Sequence, residues 1–158
     1  MQITTPRPTD DEVWDWRANV RAAIALFSQK MAIAKACPKR VRASPNFQIL
    51  VDRYNGGRTN AGKKALNVRL PDFTDDQIEL DAIRGYNGYG GEDYFLGPRH
   101  LHEYRVRLDS TVPAQPKLVV KEETDGSTGT LEWERTPEDV RPAGRGGYVN
   151  NVVRKGDF

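Results

Sequence analysis

The chain has 158 residues, enough for one domain with a real core. Hydrophobic residues at 37% and charged residues at 29% make it polar but not disordered in bulk, and ten Pro with fourteen Gly imply many turns. The 24 basic and 22 acidic residues leave a formal net charge of +2, which gives no global argument for nucleic acid or an anionic membrane as partner.

The single cysteine, Cys37, excludes an internal disulfide and fits a reducing compartment. As a nucleophile it would need a His partner, and nothing near it in the sequence supplies one, so it reads as a buried bystander. No apolar run approaches the length of a membrane span. Met1 to Pro8 lacks the basic-then-apolar pattern of a signal peptide. A substrate outside the cytoplasm would therefore require another export route or a missing beginning.

In chain order, residues 1–9 read as extended, because Pro6 and Pro8 block a helix. Thr9-Asp-Asp-Glu12 has the form of a capping box, in which the hydroxyl takes the amide three residues on and Glu12 reaches back. A long helix is expected from there to about Ala36. Its apolar stripe (Val13, Trp16, Val20, Ile24, Phe27, Met31 and Ala34) is spaced by threes and fours and reads as core packing. Lys35, Lys39 and Arg40 suit its C-terminal dipole, and Pro38 is expected to end it. Ser44-Pro45 opens a short helix, Asn46 to Tyr54, expected to stop at Asn55-Gly56-Gly57. Residues 58–71 read as a polar connection whose Gly62-Lys63-Lys64 cluster is a solvated loop rather than an anion site.

Thr74-Asp-Asp-Gln77 is a second capping box, and the helix from Asp75 to Tyr86 places Ile78, Ala82, Ile83 and Tyr86 on one face. Asn87-Gly88 ends it, and Gly90 and Gly91 leave the backbone open to close approach. Arg99 to Leu108 alternates as a strand does, although a helix also fits. On a strand His100 and His102 share one side while Glu103 points to the other, so a third metal ligand is lacking and no metal site is assigned. Residues 113–135 read as an insertion. Within it Lys117–Lys121 and Thr130–Arg135 form a hairpin around the Asp125–Gly129 loop, with Glu122, Glu123, Glu132 and Glu134 on a wet face. A Pro/Gly/Arg-rich link from Pro137 leads to a last short helix, Tyr148 to about Arg154.

Four stretches, in order, resemble the transglycosylase SLT domain, the lytic transglycosylases of lysozyme-like fold. Met1-Gln2-Ile3-Thr4 is similar to the second half of that family's Gly-Leu-Met-Gln-(Leu/Ile)-Thr motif. Trp14-Asp-Trp-Arg-Ala-Asn-Val20 resembles the helix that follows it. Gly85-Tyr-Asn-Gly88 resembles the Ala-Tyr-Asn-(Ala/Gly)-Gly motif, and Gly147-Tyr-Val-Asn-Asn-Val-Val153 the closing Tyr-Val-x-x-Val-Leu motif. The resemblance is thin over residues 37–73 and 95–143.

The resemblance implies a mainly α (α+β) lysozyme-like helical domain spanning 1–158, with a small β-hairpin insertion at 113–135. It implies cleavage of the MurNAc-GlcNAc bond of peptidoglycan glycan strands, forming 1,6-anhydro-MurNAc without a cofactor, in the periplasm or cell wall. Met1, Gln2, Tyr86, Asn87 and Tyr148 are the implied substrate-binding residues. Met1 would give an apolar contact, Gln2 and Asn87 amide groups for N-acetyl and hydroxyl groups, and Tyr86 and Tyr148 flat faces for sugar rings. Tyr86 and Tyr148 also read as packing residues, and Asn87 as a plain helix cap. The family's catalytic Glu falls upstream of Met1, so the chain is expected to be truncated or mis-started and to lack the acid; Glu12, inside a capping box, is no substitute. Glycosidic cleavage needs a carboxylic acid of raised pKa to protonate the leaving oxygen. The alternative is a non-catalytic glycan-binding or structural remnant, and a third reading is an unrelated small interaction domain.

Overall fold

A computed structural model describes residues 9–10, 15–87, 101–109, 111, 115–141 and 147–156. The Thr9–Glu12 capping box, Met1, Gln2, His100 and the Gly90-Gly91 pair fall wholly or partly outside them. The architecture is α+β: four helices and three small sheets among the described residues.

Helix α1 (Trp16–Ala43) starts on Asp15, whose carboxylate accepts from the Arg17 amide at 2.9 Å. It runs through Pro38, contrary to the expected stop at Ala36. Proline at a helix interior loses one backbone hydrogen bond, at a cost of about 3 kcal/mol. Here Cys37, Pro38 and Val41 are all buried in the core, and that burial offsets the loss. Arg40 Nη2 also reaches back to donate to the Ile33 carbonyl, at 3.3 Å. The effective stop is Pro45, because the residue before a proline is pushed to extended backbone, and Ser44 has φ −71° and ψ 132°.

Helix α2 (Pro45–Asn60) likewise passes through Gly56 and Gly57, which sit in open space. The Asn55 side chain is used instead as a clamp, donating to the Leu66 carbonyl (3.0 Å) and accepting from the Leu66 amide (2.9 Å). The turn comes one step later at Gly62, whose φ of +74° is left-handed. The connection then enters strand β1 (Asn67–Arg69), which the polar sequence of that stretch did not announce.

Helix α3 (Asp75–Tyr86) has the full capping box. Thr74 Oγ1 accepts from the Gln77 amide, and Gln77 Oε1 accepts from the Thr74 amide. Ile78, Ala82 and Ile83 are buried, as the face predicts. Of the 99–108 stretch, where strand and helix both fitted, the part from 101 on is described, and it carries β2 (Tyr104–Val106) followed by β3 (Leu108–Asp109) and no helix. A hairpin forms inside the expected stretch but is tighter than expected: β5 (Val120–Glu122) runs antiparallel to β6 (Thr128–Leu131), so Thr128 and Gly129 of the expected loop are strand and the outer ends of the expected strands pair elsewhere. Strand β6 also pairs in parallel with β1, while β3 pairs with β4 (Lys117–Leu118) and β2 with β7 (Trp133–Arg135). Helix α4 (Tyr148–Gly156) closes the described chain.

The core lies between α1, α2, α3 and the strands, around Val41, Phe47, Phe73, Val106 and Leu131. Phe73 packs edge-on against Trp133, centroids 4.6 Å apart, and Trp133 Nε1 donates to the Pro71 carbonyl at 2.9 Å. Each fully buried aliphatic side chain contributes about 1.5–3 kcal/mol. The α1 stripe joins this core only in its C-terminal half. Trp16 is 66% and Ile24 61% exposed, and Val20 is also exposed, which corrects the reading of that stripe as core throughout. No helix among the described residues is long and apolar enough to cross a membrane.

Candidate functional site

The N-terminal half of α1, the end of α3 and α4 enclose a groove of about 420 Å³. Helix α1 contributes Val20, Ala23, Ile24, Phe27 and Ser28; α3 contributes Ile83 and Tyr86; α4 contributes Tyr148 and Val152. The walls form because α1 presents residues at i, i+3, i+4 and i+7 toward a helix that ends, rather than toward a continuing core. Tyr86, at the last turn of α3, sets its ring at 61° to Phe27 with centroids 6.3 Å apart. Tyr148, in the first turn of α4, is half-buried. Burial, and then the nearby Tyr86 hydroxyl, raise the Tyr148 phenol above its ordinary value, so it is a neutral donor at neutral pH.

Of the sequence-predicted binding residues, Tyr86 and Tyr148 are brought to one groove from motifs far apart in the chain. Asn87 follows Tyr86 as the C-cap, with its amide donating to the Arg84 carbonyl at 3.2 Å; it is half-buried and is not among the groove-lining residues. Met1 and Gln2 lie outside the described residues. Among the described residues the groove walls are overwhelmingly apolar, with the Ser28 hydroxyl and the two phenols as side-chain polar groups and no carboxylate. Sequence reasoning placed Val20, Ile24 and Phe27 in the core and so missed them as groove wall.

A second hollow, about 720 Å³, opens beside α2 and β5. Arg58 there pairs with Glu122, and Lys63 and Lys64 are exposed, in keeping with a solvated loop.

Two buried polar clusters lie outside the groove lining. In one, Cys37 Sγ is 3.9 Å from His102 Nδ1, which is 3.3 Å from Asp81 Oδ2. All three residues are buried, and Asp81 Oδ1 accepts from the Glu103 amide at 2.9 Å. The His partner that Cys37 lacked locally thus arrives from across the fold. Burial, reinforced by the Asp81 carboxylate and only partly offset by Arg40, pushes the Cys37 thiol far above its usual value. It is a protonated thiol, not a nucleophilic thiolate. In the other cluster Glu103 is wholly buried and its Oε1 accepts from Arg135 and Arg141. The alternation expected for a strand fails here: residues 102 and 103 form a bend, and both side chains point inward.

The chain matches no protein-family model, no curated protein and no solved structure.

Proposed function

We propose that the chain is a peptidoglycan lytic transglycosylase of lysozyme-like fold, acting on the MurNAc-GlcNAc bond of cell-wall glycan strands, with the α1–α3–α4 groove as part of its glycan cleft. The observation that carries this reading is the convergence of Tyr86 and Tyr148 on one groove. These are the tyrosines of the two motifs that resemble the family, and Asn87 stands next to the first. Two half-buried rings with hydroxyls suit the apolar face and polar edge of an N-acetylated sugar.

In this reading the groove binds and orients the glycan. Proton donation to the leaving oxygen requires a carboxylic acid. None lines the described walls, so the acid must come from outside them. The same observation favours the second reading, a non-catalytic glycan-binding or structural remnant of that fold.

The test has two parts. Incubation of the chain as given with purified peptidoglycan is expected to release little or no anhydro-muropeptide; robust turnover would mean the acid has been misplaced. Co-sedimentation with insoluble peptidoglycan is expected, weakened roughly 3- to 10-fold by Tyr86→Ala or Tyr148→Ala, which corresponds to about 0.7–1.4 kcal/mol per ring. Absence of binding by the intact chain would sink both readings.

A further inference from the structure

The Cys37–His102–Asp81 cluster has no place in the glycan reading and stands independently of it. Its three side chains come from α1, from α3 and from the bend before β2. One potential ligand atom from each lies within 4.8 Å of the other two. A Cys–His–carboxylate relay is excluded by geometry. Such a relay uses the two ring nitrogens on opposite sides of the imidazole. Here sulfur and carboxylate both converge on Nδ1, and burial keeps substrate away.

A simple hydrogen-bonded trio also fits poorly. Nδ1 offers either one proton or one lone pair, so it serves either Asp81 or Cys37 but not both. The separation from Asp81 Oδ2, 3.3 Å, is longer than a charge-assisted bond favours. One cation at the shared focus of the three atoms satisfies all of them. For tetrahedral zinc, the usual bond lengths place sulfur and nitrogen roughly 3.6 Å apart and nitrogen and oxygen roughly 3.4 Å apart. The observed separations are 3.9 and 3.3 Å.

Charge and softness point the same way. A thiolate and a carboxylate balance a divalent ion while the imidazole stays neutral, so the loaded site buries no net charge. A sulfur–nitrogen–oxygen donor set suits zinc rather than magnesium or calcium, which take oxygen ligands. The Glu103 amide fixes Asp81 through Oδ1 and leaves Oδ2 facing His102, the kind of outer support that metal-ligating carboxylates have.

We propose that Cys37, Asp81 and His102 bind a zinc-class divalent ion that cross-links α1, α3 and the entry to β2. The Cys37 proton leaves to solvent as the sulfur–metal bond forms.

The test uses the full chain, stripped with a chelator and titrated with Co²⁺ and then Zn²⁺. Expected are one equivalent of Co²⁺ bound with a near-ultraviolet thiolate-to-cobalt band and tetrahedral visible bands, displacement by Zn²⁺, and a higher Tm with Zn²⁺. Cys37→Ser should abolish the thiolate band, and His102→Gln should weaken binding at least 10-fold. Because either variant could fail to fold, X-ray absorption on the zinc-loaded wild-type chain provides a second readout, with one sulfur among nitrogen and oxygen ligands expected. Binding without a sulfur ligand, or no binding at all with Tm unchanged, would overturn the proposal.

Discussion

Replacing Arg141 with methionine should be among the most damaging single changes outside the apolar core. Glu103 is wholly buried, and its Oε1 accepts from Arg141 Nη2 at 2.9 Å and from Arg135 Nε and Nη2 at 2.9 and 2.6 Å. The two arginines are not equivalent: the Arg141 side chain is 4% exposed and that of Arg135 is 44% exposed. Losing its one buried partner leaves Glu103 facing only the half-exposed Arg135, and removal of one partner of a buried ion pair costs about 3–5 kcal/mol. For a domain of this size that lowers Tm by roughly 6–20 °C. Water screens Arg135, so Arg135→Met should cost less, about 1 kcal/mol. A Glu103→Leu/Arg141→Met double variant should recover part of the loss, because no buried charge is then left short of a partner and the remaining Arg135 and Glu138 are solvent-exposed. Urea titrations followed by far-ultraviolet circular dichroism, with m-values compared, measure all three. The reasoning is refuted if Arg141→Met stays within about 0.5 kcal/mol of wild type, or if Arg135→Met proves the worse of the two.

Two further changes test the hairpin. A Cβ on Gly129 would sit 2.4 Å from Val120 Cγ1 and 3.0 Å from Leu66 Cδ1, and the β-branched Val120 has little freedom to rotate away, so Gly129→Ala should cost about 1–3 kcal/mol by the same titration; a stabilised variant would contradict that close approach. At the hairpin turn, Asp125 accepts from the Thr128 hydroxyl (2.7 Å) and from the Ser127 and Thr128 amides (2.9 and 2.8 Å), which hold its carboxyl far below the ordinary range. A depressed folded-state pKa contributes stability that is present above the unfolded value and lost as pH falls toward the folded one, so the advantage of wild type over Asp125→Asn should be full at pH 7 and shrink below about pH 4. Thermal melts of both proteins between pH 7 and 2 check this, and an advantage constant across that range would argue against the bonds.

Local chemistry was legible wherever local chemistry decided the structure. Thr74 and Gln77 cap α3, Ser44-Pro45 opens α2, and a hairpin forms inside the expected 117–135 stretch, because these signals act within a few residues; the outer ends of its two expected strands pair elsewhere. The misses share a cause: a local stop signal met a tertiary contact. Pro38 sits inside α1 because Cys37, Pro38 and Val41 are buried together, and Asn55 is drawn to Leu66 instead of ending its helix. The β1–β6 pairing is parallel and joins segments far apart, so nothing in residues 67–69 could announce it. For the groove, the sequence named Tyr86 and Tyr148, but periodicity alone could not tell a buried stripe from one that faces a cleft. Cys37 and His102 were each noted, but their meeting depends on how α1 packs across the fold, which no spacing encodes.

The groove and the buried cluster share a frame. Helix α1 supplies Phe27 to the groove and Cys37 to the cluster, and α3 supplies Tyr86 to the groove and Asp81 to the cluster. Cys37 lies ten residues beyond Phe27, about 15 Å along the helix. Whatever fixes the α1–α3 separation at the cluster therefore limits how far the two helices can part at the groove. Helix α4, the third wall, is held from the other cluster, since Arg135 Nη2 donates both to Glu103 Oε1 and to Asn150 Oδ1 at 2.9 Å. These polar residues thus hold the helices that wall the groove without lining it themselves. If so, and with the groove binding glycan as proposed, Cys37→Ser and Arg135→Met should weaken that binding without contacting glycan, Cys37→Ser by letting α1 and α3 part and Arg135→Met by releasing α4. Hydrogen exchange separates the two routes: Cys37→Ser should raise exchange along α1 and α3, and Arg135→Met along α4 alone. Uniform exchange increases in both variants would mean general destabilisation and would break the link between the clusters and the groove.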